Sequence, residues 1–168
     1  TGASGGIGSE VCRTFAPLGL RMYLLDLPSP ALDDLVKEVK ELADIFARSI
    51  HCIPTSIYSQ AQLNAWCPSP INYNYWRWRC ELKRPYLYII NDQVVSFLEL
   101  DPNGHIDCLY THPQYQLQGI AQSLLSHAIS VCDALDIKQM FVEASHLIKP
   151  LFEKNGFVII KPNCVTLR

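Results

Sequence analysis

Apolar positions along the chain follow two different periods. Leu32, Leu35, Val36, Val39, Leu42, Ala43, Phe46 and Ile50 recur at helical spacing, which predicts one helix over about 30–51. Pro30 suits its first turn and Ser29 its N-cap. Upstream, 8–18 reads as a helix stopped at Gly19, and 21–27 as a strand. Downstream, 59–66 reads as a short helix closed by Pro68 and Pro70, and 73–83 as another. The pattern then switches to strand over 85–90, 93–100 and 105–111. Asn91 and Asp92 form the first turn and Asp101, Pro102, Asn103 and Gly104 the second, as in an antiparallel meander. An amphipathic helix is expected over 119–135, a strand over 138–144, a short helix over 149–155 capped by Gly156, and a final strand over 157–160. The fold class is α+β: a mixed, mainly antiparallel sheet flanked by helices.

The 168 residues are 49% hydrophobic and 18% charged, with net charge −2, which suits one domain, or one domain plus a fragment, with a packed core. Near-neutral charge argues against nucleic acid as a partner. The longest apolar runs, 87–90 and 94–98, are too short to span a bilayer, and no charged-then-apolar leader opens the chain. The seven cysteines are scattered, odd in number and without a C-x-x-C pair. This disfavours a disulfide framework or a thiolate zinc site and points to a reducing, cytoplasmic setting. No third donor clusters with the histidines, so no metal site is expected.

The richest local chemistry lies in 105–125. A strand ends at Thr111, a polar loop follows, and Gly119, Ile120 and Ala121 open a helix. Amides at a helix N-terminus lack intrahelical partners and carry partial positive charge, and small residues there let a phosphate approach them. Taken alone, the loop reads equally well as a plain strand–loop–helix connection.

Gln116-x-x-Gly119-x-Ala121, after a strand ending Leu-Tyr-Thr-His-Pro, resembles the Q/R-x-x-G-x-G/A signature of the GNAT N-acetyltransferase superfamily. Phe141-Val142-Glu143-Ala144-Ser145, followed by Lys149-Pro150-Leu151-Phe152-Glu153-Lys154-Asn155-Gly156-Phe157, resembles that family's next strand and helix. The resemblance covers about 41–165, and Tyr58, Leu63, Trp66 and Pro68 resemble a subgroup of small bacterial acetyltransferases. It implies acetyl-CoA as co-substrate and transfer of the acetyl group to a primary amine, on a small molecule or peptide, by direct attack. The main-chain groups of Leu109, Tyr110 and Thr111 would pair with the pantetheine arm. The amides of Leu117, Gln118, Gly119, Ile120, Ala121 and Gln122, beside Gln116, would hold the pyrophosphate. Ser145 stands where the family often has a CoA-contacting Asn, and the strands 105–111 and 138–144 would splay to admit the thioester.

Phe152 stands where the family often has a proton-donating Tyr, so no catalytic acid carries over. For a base, Glu99, Asp107 and Glu143 lie on successive strands. Alternation would put His105, Asp107 and Leu109 on one face. Asp107 is the first choice, weighed against a solvated strand-face role for each carboxylate. Tyr58 and Trp66 are the acceptor-binding candidates among aromatics that otherwise read as packing residues. The acceptor's identity is open, and a homodimer is compatible with this reading.

Residues 1–8, Thr-Gly-Ala-Ser-Gly-Gly-Ile-Gly, are similar to the glycine loop of short-chain dehydrogenases/reductases, with Asp26 at the distance of a ribose-binding acid. Gly2, Gly6, Gly8 and Asp26 would then favour NAD. The preceding strand, a Tyr-x-x-x-Lys and the second half of the sheet are all missing from the sequence, so this Rossmann-like segment is incomplete. The expected division is a dehydrogenase-like fragment over 1–39 and an acetyltransferase domain over 40–168, as in a chimaera, a fusion or a mis-joined sequence. Strand 21–26 would occupy the sheet edge beside 85–90. Two alternatives to a transferase remain: an NAD-linked oxidoreductase fragment and a catalytically silent CoA-binding module.

Overall fold

The computed structural model describes residues 30–161, with side chains from residue 37 onward. The expected elements over 8–18 and 21–27, the Ser29 cap, and Gly2, Gly6, Gly8 and Asp26 lie outside the described residues.

Helix α1 (Pro30–His51) runs unbroken across the expected 39/40 division. It buries Val39, Leu42, Ala43 and Ile50 of the stripe its periodicity marks, and Ile45 and Ala47 besides, while Phe46 of that stripe is only partly buried. Helix α2 (Gln60–Trp66) starts with a reciprocal box: Ser59 Oγ accepts from the Gln62 amide, and Gln62 Oε1 accepts from the Ser59 amide at 2.8 Å. Helix α3 (Tyr73–Lys83) is capped by Asn72, whose Oδ1 accepts from the Tyr75 amide, and ends at Arg84 with φ +48°. Trp76 and Cys80, one turn apart, are its buried residues.

Strands β1 (Tyr86–Ile90), β2 (Gln93–Leu100) and β3 (His105–Thr111) form an antiparallel meander, and β4 (Phe141–Val142) adds parallel to β3, giving the order β1-β2-β3-β4. Asn91 and Asp92, at φ 49° and 59°, make the left-handed two-residue turn that matches strand twist. At the next turn a Cβ on Gly104 (φ +87°) would lie 2.1 Å from the Gln139 carbonyl, so the segment leading to β4 passes over that turn only because glycine is there. One sheet face packs Val94, Phe97 and Cys108 against α1 and α3. The other packs Leu98 and Ile106 against α4 (Ile120–Ala134) and α5 (Lys149–Lys154).

Three expectations are corrected. The strand over 138–144 shrinks to Phe141 and Val142. The chain crosses the Gly104 turn first, and only these two residues then align with His105 and Ile106. The strand over 157–160 is not formed: after Gly156 (φ +86°), Val158 and Ile160 are each 80% exposed. β-branched residues become strand only against a paired edge, and no described strand pairs with them. The alternation expected along β3 is broken by a bulge. Glu99 pairs with Cys108 and Leu100 with Ile106, leaving Asp107 as the extra residue. Ile106 and Cys108 therefore point into different cores, and Leu109 joins Ile106.

Candidate functional site at the end of strand β3

The two residue pairs joining β3 to β4 are at its start, so 107–111 has β2 on one side and no described strand on the other. The end of this open stretch is tied down by its neighbours. Ser49 Oγ, from the last turn of α1, donates to the Thr111 carbonyl at 2.9 Å, and Gln116 Nε2 donates to the same oxygen at 3.1 Å. Both lone pairs of that carbonyl are taken, which restricts any pantetheine pairing at Thr111 to its amide. Ser96 Oγ donates to the Tyr110 carbonyl and sits 2.8 Å from Thr111 Oγ1.

Beyond β3, His112 turns the chain into a 3-10 turn (Pro113–Tyr115), its Nδ1 accepting from the Gln114 amide. Arg48 Nη1 lies 3.2 Å from its Nε2. Burial, and then the Arg48 charge, lower its pKa, so the ring is neutral. Leu117 stands in the left-handed region at φ +59° with its side chain fully exposed. Gly119 follows at φ +82° as N-cap of α4, with no side chain capping the helix. A Cβ there would meet nothing within 4 Å. The first-turn amides of α4 thus face an open cradle. Gln122 turns its side chain away, into a reciprocal pair with Asn155 at 2.7 and 3.0 Å. Ser145 lies after β4, its carbonyl accepting the Lys149 amide at the start of α5.

The two acceptor candidates are brought to the same strand. Tyr58 and Trp66 meet edge-to-face at 5.7 Å, and both pack with Tyr110 against the cluster of Ala47, Ile50, Leu63 and Cys67. Burial pushes the Tyr110 phenol far up, and its ring packs on Phe46 at 4.9 Å and Phe97 at 5.8 Å.

Asp107 falls elsewhere. Its Oδ2 is 2.9 Å from Arg79 Nη2 and 2.7 Å from Lys83 Nζ. Burial alone would raise its pKa, but the Lys83 hydrogen bond and the two cations outweigh it and hold the carboxyl below its ordinary value. Glu99, expected as a solvated strand-face residue, is fully buried and gripped by Arg79. Lys83 also pairs with Asp101, which reaches His105, and His105 Nε2 lies 2.7 Å from Glu143. The sequence reading missed Ser49 and Arg79. The signal for Arg79 was a cation on the helix face shared by Trp76 and Cys80, and no local signal marks Ser49.

A family model described as an acetyltransferase (GNAT) domain matches residues 54–166. The chain belongs to the GNAT acetyltransferase family. As a GNAT domain it is an N-acetyltransferase, and it is 30% identical over 131 residues to the uncharacterized N-acetyltransferase YafP of Escherichia coli (strain K12), covering 78% of this chain and 82% of that protein. Its fold is that of a GCN5-related N-acetyltransferase from Rhodopseudomonas palustris (TM-score 0.68, 24% identity, 88% of this chain and 91% of that one). It is also that of the PaiA N-acetyltransferase of Thermoplasma acidophilum, solved in complex with coenzyme A (TM-score 0.63, 16% identity, 76% and 88%). Among the described residues, no helix of this GNAT domain is long and apolar enough to cross a membrane.

Proposed function

We propose that this GNAT domain transfers an acetyl group from acetyl-CoA to a primary amine by direct attack. The observation that carries the proposal is continuity: the stretch 107–111 of β3, which has no described strand beside it other than β2, leads through the 112–119 loop into the N-terminus of α4, which no side chain caps. That edge offers main-chain groups to an amide-bearing arm, and the amides of 117–122 offer unpartnered donors to a diphosphate. Bound acetyl-CoA supplies the activated thioester. The acceptor nitrogen attacks its carbonyl carbon, the C–N bond forms, the C–S bond breaks, the nitrogen gives up a proton to solvent, and the departing thiolate takes one from solvent. A strand amide near Tyr110 would meet the negative charge growing on the carbonyl oxygen.

Asp107 takes a different role from the expected base. A carboxylate paired with Arg79 and Lys83 binds a proton poorly, so we assign it to holding β3 against α3. We propose the division into 1–39 and 40–168 with the boundary inside α1, so that an upstream segment shares a helix with the transferase domain.

Calorimetric titration with acetyl-CoA tests the site. Gly119→Glu places a carboxylate in the cradle and is expected to abolish binding, and unchanged affinity would overturn the assignment. A silent CoA-binding module is the second reading, favoured by the absence of a hydroxyl at Phe152. Thiol release that depends on an amine separates the two.

A further inference from the structure

Resting on the transferase reading, we infer that the acceptor is a primary amine on an apolar or aromatic body with no second charge, an arylalkylamine in its simplest form. Residues 52–76 contain no Asp, Glu, Lys, Arg or His, in a chain that is 18% charged. This stretch supplies Tyr58 and Trp66, which pack with Tyr110 of the open strand on one apolar cluster. Beside that strand, 52–76 therefore contributes aromatic and uncharged polar side chains.

The ionisable groups bordering it are engaged. Asp44 accepts from the Tyr73 hydroxyl at 2.9 Å, and His51 Nε2 lies 3.1 Å from the Cys67 carbonyl. Arg48 faces His112, and Arg79 is shared by Glu99, Asp107 and the Tyr75 hydroxyl. Arg79 is balanced by two carboxylates, whereas Asp44 and Arg48, which keep their charges, lie on α1 outside 52–76. A second charge held over 52–76 would find no counter-ion within that stretch.

The same surroundings act on the reacting amine. Removing an ammonium from water without a carboxylate beside it lowers its pKa, so the neutral nucleophile forms without a dedicated base. The ammonium proton passes to solvent before attack. This fits an Asp107 already held by two cations.

The test is initial-rate thiol release from acetyl-CoA by the whole chain, with phenethylamine and tryptamine against spermidine, lysine and glutamate. The arylalkylamines are expected to exceed the charged amines in kcat/KM by about tenfold or more. Trp66→Ala is expected to raise KM for phenethylamine about tenfold while leaving acetyl-CoA Kd within about threefold, and Trp66→Phe to restore most of the loss. Equal rates across the panel, or a preference for spermidine, lysine or glutamate, would overturn the inference and leave the transferase standing. No amine-dependent thiol release from a cooperatively folded protein would remove the transferase reading, and the inference with it.

Discussion

Arg79 on α3 grips Glu99 on β2 with two donors, Nε to Oε1 at 3.0 Å and Nη2 to Oε2 at 2.5 Å. The carboxylate is fully buried and the guanidinium nearly so. Burial pushes the Glu99 carboxyl up and the guanidinium opposes it. Arg79 itself is held firmly charged, its desolvation outweighed by the Glu99 carboxylate. Removing Arg79 leaves the Glu99 carboxylate buried without its cation. Arg79→Met is therefore expected to cost roughly 3–5 kcal/mol, and the double change Arg79→Met, Glu99→Leu distinctly less. Urea unfolding of both variants measures this, and a loss in the double variant as large as in the single one would contradict it.

His105 and His112 give opposite dependences on pH. Burial lowers the affinity of His105 for a proton, but the hydrogen bonds to Glu143 and Asp101 outweigh it and its pKa is raised above 6.5. Its contribution is full below 6.5 and is lost as pH rises through the folded value. His112 is lowered by burial and Arg48, so its contribution is full above 6.5 and is lost as pH falls. Urea midpoints between about pH 5 and 8.5 should show His105→Gln flattening the alkaline decline and His112→Gln the acid one. The same sign for both variants would contradict these environments.

Gln122 separates main-chain from side-chain recognition. Its amide lies in the proposed cradle while its side chain is held by Asn155. Gln122→Ala is expected to cost about 1 kcal/mol of stability and to leave acetyl-CoA Kd within about threefold. A tenfold or greater loss of affinity would mean that the side chain itself holds the ligand.

Phe152 is 3% exposed, packs on Phe157 at 5.1 Å and belongs to the core under α4. Phe152→Tyr puts a hydroxyl into this apolar setting, with an expected cost of roughly 1–3 kcal/mol and no gain in turnover. Faster turnover by this variant would place the new hydroxyl beside the leaving thiol.

Much of the fold was legible from the sequence because helix and strand periods are local. The bounds expected for β2 and β3, and for α1 and α3, coincide with the observed ones. The short segments failed where pairing decides. Residues 138–144 and 157–160 have strand composition, but a strand exists only where another edge accepts its hydrogen bonds. Within the candidate site, Gln116 and Gly119 could be found from their resemblance to the family's signature. Ser49 could not, since its partner Thr111 lies 62 residues away.

The residues on their own determined which stretches coil, which extend, and where a glycine-bearing turn opens a helix, because those choices depend on neighbours a few positions apart. Tertiary structure decided that Asp107 bulges out of register into the grip of Arg79 and Lys83, and that β4 leaves the end of β3 open. Registers and ion pairs join positions distant in the chain, and their energies exist only once the sheet and α3 have packed together.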